Sequence, residues 1–459
     1  MRTTTSWKRG ALKTPGVFAL ALIAGVLATP ERTAAQSAKP TPTFTKDIAP
    51  ILQRSCQQCH RPGALAPMSL LTYEDARPWA RLIKNRVVSR HMPPWHIDKN
   101  VGIQKFKDDP SLTDDQIATI AAWVDGGVAR GNPVDMPPPR QFEDADVWNI
   151  GKPDLIVEIP KEYVVPGDAP DKWIDSFAPT GLTEDRYIKA IQSMPAPGAR
   201  KVVHHITTTV LQTLDGEDKL LSGIGDDVRE PEEQFLNEYG MGKNGDILPD
   251  GTGRVLKAGS VIKFNVHYHA SGEETRDRSR IGIVLYPKGY VPKFHQVTRG
   301  IARPQDLIDI PAGAENARVD GYHRFDKPVR ITAVQAHMHN RGKRMCMEAI
   351  LPTSLPSQQN QAGPRNVETL SCFNFDFAWH KVYNYADDVA PLLPAGTVLH
   401  VIGWHDNSIR NRNNPDPRNW VGAGSRTNDE MSFAWTTWTN LTEEEYKKMV
   451  EERQAKAAN

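Results

Sequence analysis

Residues 329–339 read Val329-Arg330-Ile331-Thr332-Ala333-Val334-Gln335-Ala336-His337-Met338-His339. Apolar and polar side chains largely alternate through Gln335, the pattern of a strand with one buried face. On such a strand His337 and His339, two apart, leave from the same face and can hold one metal with a third ligand from elsewhere. Neighbouring imidazoles need no metal in water, so a surface or substrate-binding role is the competing reading.

Working outward, similar short runs stand at 155–159, 202–211, 261–268, 281–286, 345–351 and 398–404, each broken by Pro, Gly, Asn or Asp. Many short strands at this spacing, in a chain with 36 prolines, predict sandwich or jelly-roll architecture. A charge-rich helix over 442–456 closes the chain. Two more histidine clusters lie inside the runs: Val202-Val203-His204-His205-Ile206 and Phe264-Asn265-Val266-His267-Tyr268-His269. Adjacent strand residues point to opposite faces, so His204 and His205 can share an ion only if the strand twists or bulges there, or if one uses Nδ1 and the other Nε2. In the other cluster either His267 or His269 can be the ligand.

Residues 41–130 read differently. Thr45 can cap a short helix whose Ile48, Ile51 and Leu52 make an apolar stripe. A second helix spans 73–89 if Pro78 is accommodated. The third opens on the capping-box spacing Thr113/Gln116 and stops at Gly126-Gly127. After the first helix comes Cys56-Gln57-Gln58-Cys59-His60. Thiols at i and i+3 can reach the two vinyl groups on one edge of a haem, while the next residue ligates iron. A bare C-x-x-C can instead exchange disulfides, but the immediate histidine and the helical setting favour one covalent haem c, and the segment resembles single-haem c-type cytochromes. Met92, in His91-Met92-Pro93-Pro94-Trp95, is the expected second axial ligand; Met68, His91 and His96 are the alternatives.

The N-terminus reads as an export signal: Lys8, Arg9 and Lys13 precede the apolar run 17–27, and Thr33-Ala34-Ala35 follows. The run is short for a transmembrane span, although a retained anchor is the rival reading. A net charge of +1, from 56 basic and 55 acidic residues, gives no reason to expect a nucleic acid as partner. Residues 131–140 (Gly-Asn-Pro-Val-Asp-Met-Pro-Pro-Pro-Arg) predict a stiff, extended connector. The histidine clusters lack the carboxylates of oxygen cages, and imidazole with thioether suits copper. Copper would also give the electrons of a haem a destination.

Four pieces in order, His204-His205, Val266-His267-Tyr268, His337-Met338-His339 and Asp429-Glu430-Met431, make the chain from about residue 146 onward resemble the copper type II, ascorbate-dependent monooxygenases. This is the family of peptidylglycine α-hydroxylating monooxygenase and dopamine β-monooxygenase. Trp404-His405-Asp406-Asn407-Ser408 and Asn414-Pro415-Asp416-Pro417 look like stretches of its bacterial members, some of which carry a cytochrome module ahead of the copper domains.

The resemblance implies that His204, His205 and His267 hold an electron-storing copper, CuH, and that His337, His339 and Met431 hold the oxygen-binding copper, CuM. It also chooses His267 over His269. The fold it implies is multidomain: signal peptide 1–35, a small all-α cytochrome c domain 41–130, a proline-rich linker 131–145, and two β-sandwich (jelly-roll) copper domains, 146–315 and 316–459. The implied activity is hydroxylation of an aliphatic C–H of a small organic substrate with O₂, the haem supplying electrons received from an external donor. A non-enzymatic periplasmic electron carrier or copper-binding cytochrome is the alternative. Gln335, Phe433 and Trp435 replace the carboxylate-binding groups of the peptide-amidating pattern, which argues against a peptidylglycine substrate. With His405 they are the candidate substrate-facing residues. Cys346 and Cys372, on neighbouring predicted strands of an exported protein, are expected to pair as a disulfide.

Overall fold

The computed structural model describes residues 41–62, 64, 66–142, 147–214, 232–240, 245–302, 308–352, 366–379, 381–424 and 426–458. The expected signal peptide lies outside them. From Pro42 the chain forms one compact unit, and most of its regular structure is β-sheet.

Its backbone is a ten-stranded sheet. This runs from Tyr383–Asn384 through Val329–Met338, Ser432–Asn440, Phe294–Ile301, Thr252–Leu256 and Arg186–Met194 to Arg280–Leu285 and Leu155–Glu158, with two short strands off the path. Phe294–Ile301 is the hinge of the topology, antiparallel to Ser432–Asn440 on one side and parallel to Thr252–Leu256 on the other. A five-stranded sheet (Ile97–Gly102, Val367–Asn374, Gly342–Ile350, Val398–His405, Ala317–Arg324) shares an apolar core with one end of it. A four-stranded sheet (Lys172–Pro179, Val261–Tyr268, Val203–Gln212, Glu232–Gly240) shares a second core with the other end.

The sequence-based expectation of an all-α domain ahead of two separate sandwiches is corrected by this topology. The helical segment has a small core of its own, centred on Phe44, Leu52, Ile120 and Trp123. Between its second and third helices, however, the chain leaves to add Ile97–Gly102 to the five-stranded sheet, beside Val367–Asn374. No distinct all-α domain therefore exists among the described residues, and the ten-stranded sheet joins what were expected to be two sandwiches. The 97–102 run, Ile-Asp-Lys-Asn-Val-Gly, has no clear alternation because it pairs on one edge only.

Local readings were sharper. Thr113 and Gln116 make the reciprocal capping box of the Asp114–Asp125 helix. Pro78 is absorbed by a 3₁₀ turn, Arg77–Trp79, between Tyr73–Ala76 and Ala80–Val88. Thr45 is not a cap; it is buried inside a π turn, Phe44–Ile48, that precedes Ala49–Ser55. The connector folds back on the first helix: Arg140 donates to the Gln53 carbonyl (2.9 Å), and Gln53 Nε2 donates to Pro138 (3.0 Å). Cys346 and Cys372 face each other across Gly342–Ile350 and Val367–Asn374 and form a disulfide. Among the described residues no helix is long and apolar enough to cross a membrane.

Candidate metal and haem sites

Val203–Gln212 lies antiparallel to Val261–Tyr268, with His205 opposite His267. The next step along the latter strand pairs Tyr268 with Val203, so His204 is one extra residue in the first strand. This is a β-bulge, which re-aims side chains at that point. It meets the condition the sequence imposed on two adjacent histidines. His204, His205 and His267 converge, with ligand nitrogens within 4.8 Å of one another. His204 Nδ1 and His205 Nδ1 stand 3.2 Å apart. His267 Nε2 lies 3.0 Å from the Asp171 carboxylate, and its Nδ1 is buried with no partner. Burial, then the neighbouring His267, pushes the His204 pKa down to about 4. Burial also lowers that of His267, against the pull of Asp171. Both rings are therefore neutral at pH 7, the state a metal ligand needs. His269 stays outside the trio, its ring 6.2 Å from that of His204.

The second pair is built differently. Met338 points into the core while His337 faces the other way, as period two requires. The His337 and His339 rings are 5.5 Å apart. The register pairs His337 with Phe433 and Met338 with Ser432, the residue after Met431, and there the ladder ends. Among the described residues only the first trio brings three His, Cys or carboxylate ligands together. His339 Nδ1 donates to the Asp429 carbonyl (3.0 Å), which leaves Nε2 for a ligand. The buried Glu430 accepts the backbone N–H of His339 (2.9 Å) on one oxygen and that of Arg341 (2.7 Å) on the other. Burial raises its pKa to about 7. Arg341, also buried, donates to Asn407 (2.8 Å) and lies 4.0 Å from Glu430. His405 is fully buried behind this group, its Nε2 3.4 Å from the Met431 carbonyl, and burial pushes its pKa down to about 4. It braces the site and faces no cavity described here.

Gln335, His337 and His339 share a strand face, and beside Gln335 lies a cavity of about 510 Å³. Trp435 and Phe235 line it with their rings 4.7 Å apart, and Phe433 packs on His337 at 4.6 Å. Gln335 is 2% exposed and its Nε2 has no partner. Arg254, also on the wall, directs its donors to Gln296, Thr298, Phe235 and Leu236. Its guanidinium is thus committed to protein oxygens.

Cys56 ends the Ala49–Ser55 helix, and His60 N–H reaches back to the Cys56 carbonyl (3.0 Å). The thiols are free, and burial pushes Cys56 up to about 12 and raises Cys59. Protonated thiols are poor disulfide exchangers. His60 Nδ1 lies 3.2 Å from the Met68 carbonyl, which leaves Nε2 available. The set fits haem c: two unpaired thiols and an oriented imidazole. Met68 uses its carbonyl here. Met92, His91 and His96 line a cleft of about 860 Å³.

No protein-family model and no curated protein sequence matches the chain. Among solved structures, the major capsid protein P2 of bacteriophage PM2 overlays 55% of this chain and 96% of its own at 9% identity, with a TM-score of 0.21. The T13 particle of infectious bursal disease virus overlays 65% of this chain and 71% of its own at 9% identity, with a TM-score of 0.18. Overlaps this loose carry no argument about fold or function.

Sequence reading missed Asp171, Trp173 and Arg341, and gave Glu430 no role. Asp171 and Trp173 sit two apart, a spacing that would place both beside His267 had Lys172–Pro179 been recognised as a strand.

Proposed function

We propose that this chain is a copper-dependent monooxygenase that hydroxylates an aliphatic C–H of a small, uncharged organic substrate, with haem c on Cys56 and Cys59. The observation that carries the reading is the convergence of three imidazoles at a bulge. A second imidazole pair, with Met431 one residue before the strand paired to theirs, supports it. When bound, copper supplies the oxygen chemistry, and haem the single electrons, that no side chain here can provide.

The residues have separate tasks. His204, His205 and His267 offer an all-nitrogen site; His337, His339 and Met431 offer one softened by sulfur, which favours Cu(I). His60 and Met92 would hold the iron of the haem. Trp435 and Phe235 give a substrate a flat apolar wall beside Gln335. The disulfide and the haem-attachment motif favour a periplasmic or secreted location.

The test combines metal counting with oxygen uptake. Wild type should bind two coppers; His204→Ala should lose one; Met431→Ala should keep the three-histidine copper and lose substrate-dependent oxygen consumption. Retention of zinc over copper in competition under reducing conditions would overturn the reading. Two coppers with no oxygen turnover would leave an electron-carrier role instead.

A further inference from the structure

Two residues outside both ligand sets hold His267. Lys172–Pro179 is the edge of the four-stranded sheet, and its Trp173 is directly opposite His267 in the register. Asp171, two residues before Trp173, extends the same face. The Trp173 ring lies parallel to the His267 imidazole, 4.0 Å between centroids and 14° between planes. The Asp171 carboxylate meets Nε2 at 3.0 Å. A carboxylate only accepts, so Nε2 carries the proton and Nδ1 keeps its lone pair. That lone pair is buried and unpartnered, in a ring whose neighbours His204 and His205 are 4.9 and 5.0 Å away. Left so, a buried polar atom is costly; a cation among the three nitrogens would satisfy it.

We infer that Asp171 and Trp173 are positioning residues of the three-histidine site, Asp171 by fixing the tautomer and basicity of His267 and Trp173 by fixing its plane. The inference rests on the reading that these histidines bind copper. A carboxylate behind a ligating imidazole makes it a stronger donor, and loss of such a partner typically weakens metal binding 10–100-fold. Added negative charge stabilises Cu(II) more than Cu(I), so Asp171 holds the potential of this site down. Trp173, 46% exposed, covers the outer face of the imidazole and stands close enough to report on the metal.

The experiment uses the full haem-loaded chain, titrated with Cu(II) and with Cu(I) against competing chelators. The His204→Ala variant identifies which copper belongs to this site. Asp171→Asn should weaken Cu(II) at least tenfold more than Cu(I), raising the potential by about 59 mV per tenfold difference, with the urea midpoint unchanged. Asp171→Glu should restore part of both. Trp173→Phe should remove the fluorescence quenching that tracks filling of this site. Equal copper counts in wild type and His204→Ala would sink the metal reading itself, and this inference with it. Normal loading of wild type with unchanged affinity and potential in Asp171→Asn would sink the inference alone. Unchanged quenching in Trp173→Phe would remove Trp173 from it.

Discussion

The two histidine sets reach the same end, imidazoles on one face, by opposite means. At His204 and His205 the device is local: one extra residue in a strand, with an exposed aspartate and a half-exposed tryptophan outside it. At His337 and His339 the strand is regular, and the geometry depends on residues some ninety positions away, Asp429 and Glu430, inside a buried polar group with Arg341 and Asn407. A site made by a bulge should tolerate changes around it. A site made by a buried network should transmit them to the fold.

The strongest challenge to that contrast is Glu430→Ala. It removes the acceptor of two buried backbone N–H groups, those of His339 and Arg341, and each buried donor left unsatisfied costs about 1–3 kcal/mol. Chemical denaturation of the metal-free protein should show a loss of this size, with Glu430→Gln losing clearly less. If Glu430→Ala unfolds at the wild-type midpoint, the network is not a brace.

Reduction of Cys346–Cys372, or Cys346→Ala with Cys372→Ala, comes next. Opening a cross-link that spans 26 residues should cost about 3 kcal/mol. Copper binding by the three histidines, in the other core, should survive it under conditions where the protein stays folded.

In the metal-free protein the neutral limb of the pH profile should belong to the buried network alone. Glu430 has its folded pKa raised from 4.5 to about 7. Its contribution is full below 4.5 and is lost as pH rises through about 7. His204 and His405 have theirs lowered from 6.5 to about 4. Theirs are full above 6.5 and are lost as pH falls through about 4. Stability should therefore peak between the two limbs. Glu430→Gln should flatten only the neutral limb, and His204→Ala should reduce only the acid one, both read from urea midpoints across pH.

The smallest effect should be that of Asp171→Asn on folding. Its side chain is 57% exposed, so the midpoint should move by less than about 0.5 kcal/mol. A larger loss would mean that the three-histidine set is also held by long-range structure, and the contrast would fail.

How much of this was legible in the sequence follows the same division. Strands with one buried face, such as Val261–Tyr268 and Val329–Met338, announce themselves by alternation. So does the capped Asp114–Asp125 helix. The edge strands Ile97–Gly102 and Lys172–Pro179 do not, since an edge needs little apolar surface; missing the first produced the incorrect all-α domain, and missing the second hid Asp171 and Trp173. The bulge was foreseeable only as a condition, because two adjacent histidines in a strand either part company or break the register. The cradle of Glu430 under His339 has no periodic signature, being a contact between a turn and a loop.

The Ile97–Gly102 strand also sets a timetable. Its partner residues, with Ile97 opposite Phe373, are made more than 270 residues later on the ribosome. Helices form early from local contacts, while pairings of such separation wait for the chain to close on itself. The segment that carries Cys56, Cys59 and His60 is thus made early with one strand unpartnered, and the chain must reach Asn374 before that edge is covered. Truncating the chain before residue 367 would leave the strand permanently exposed as a template for self-association.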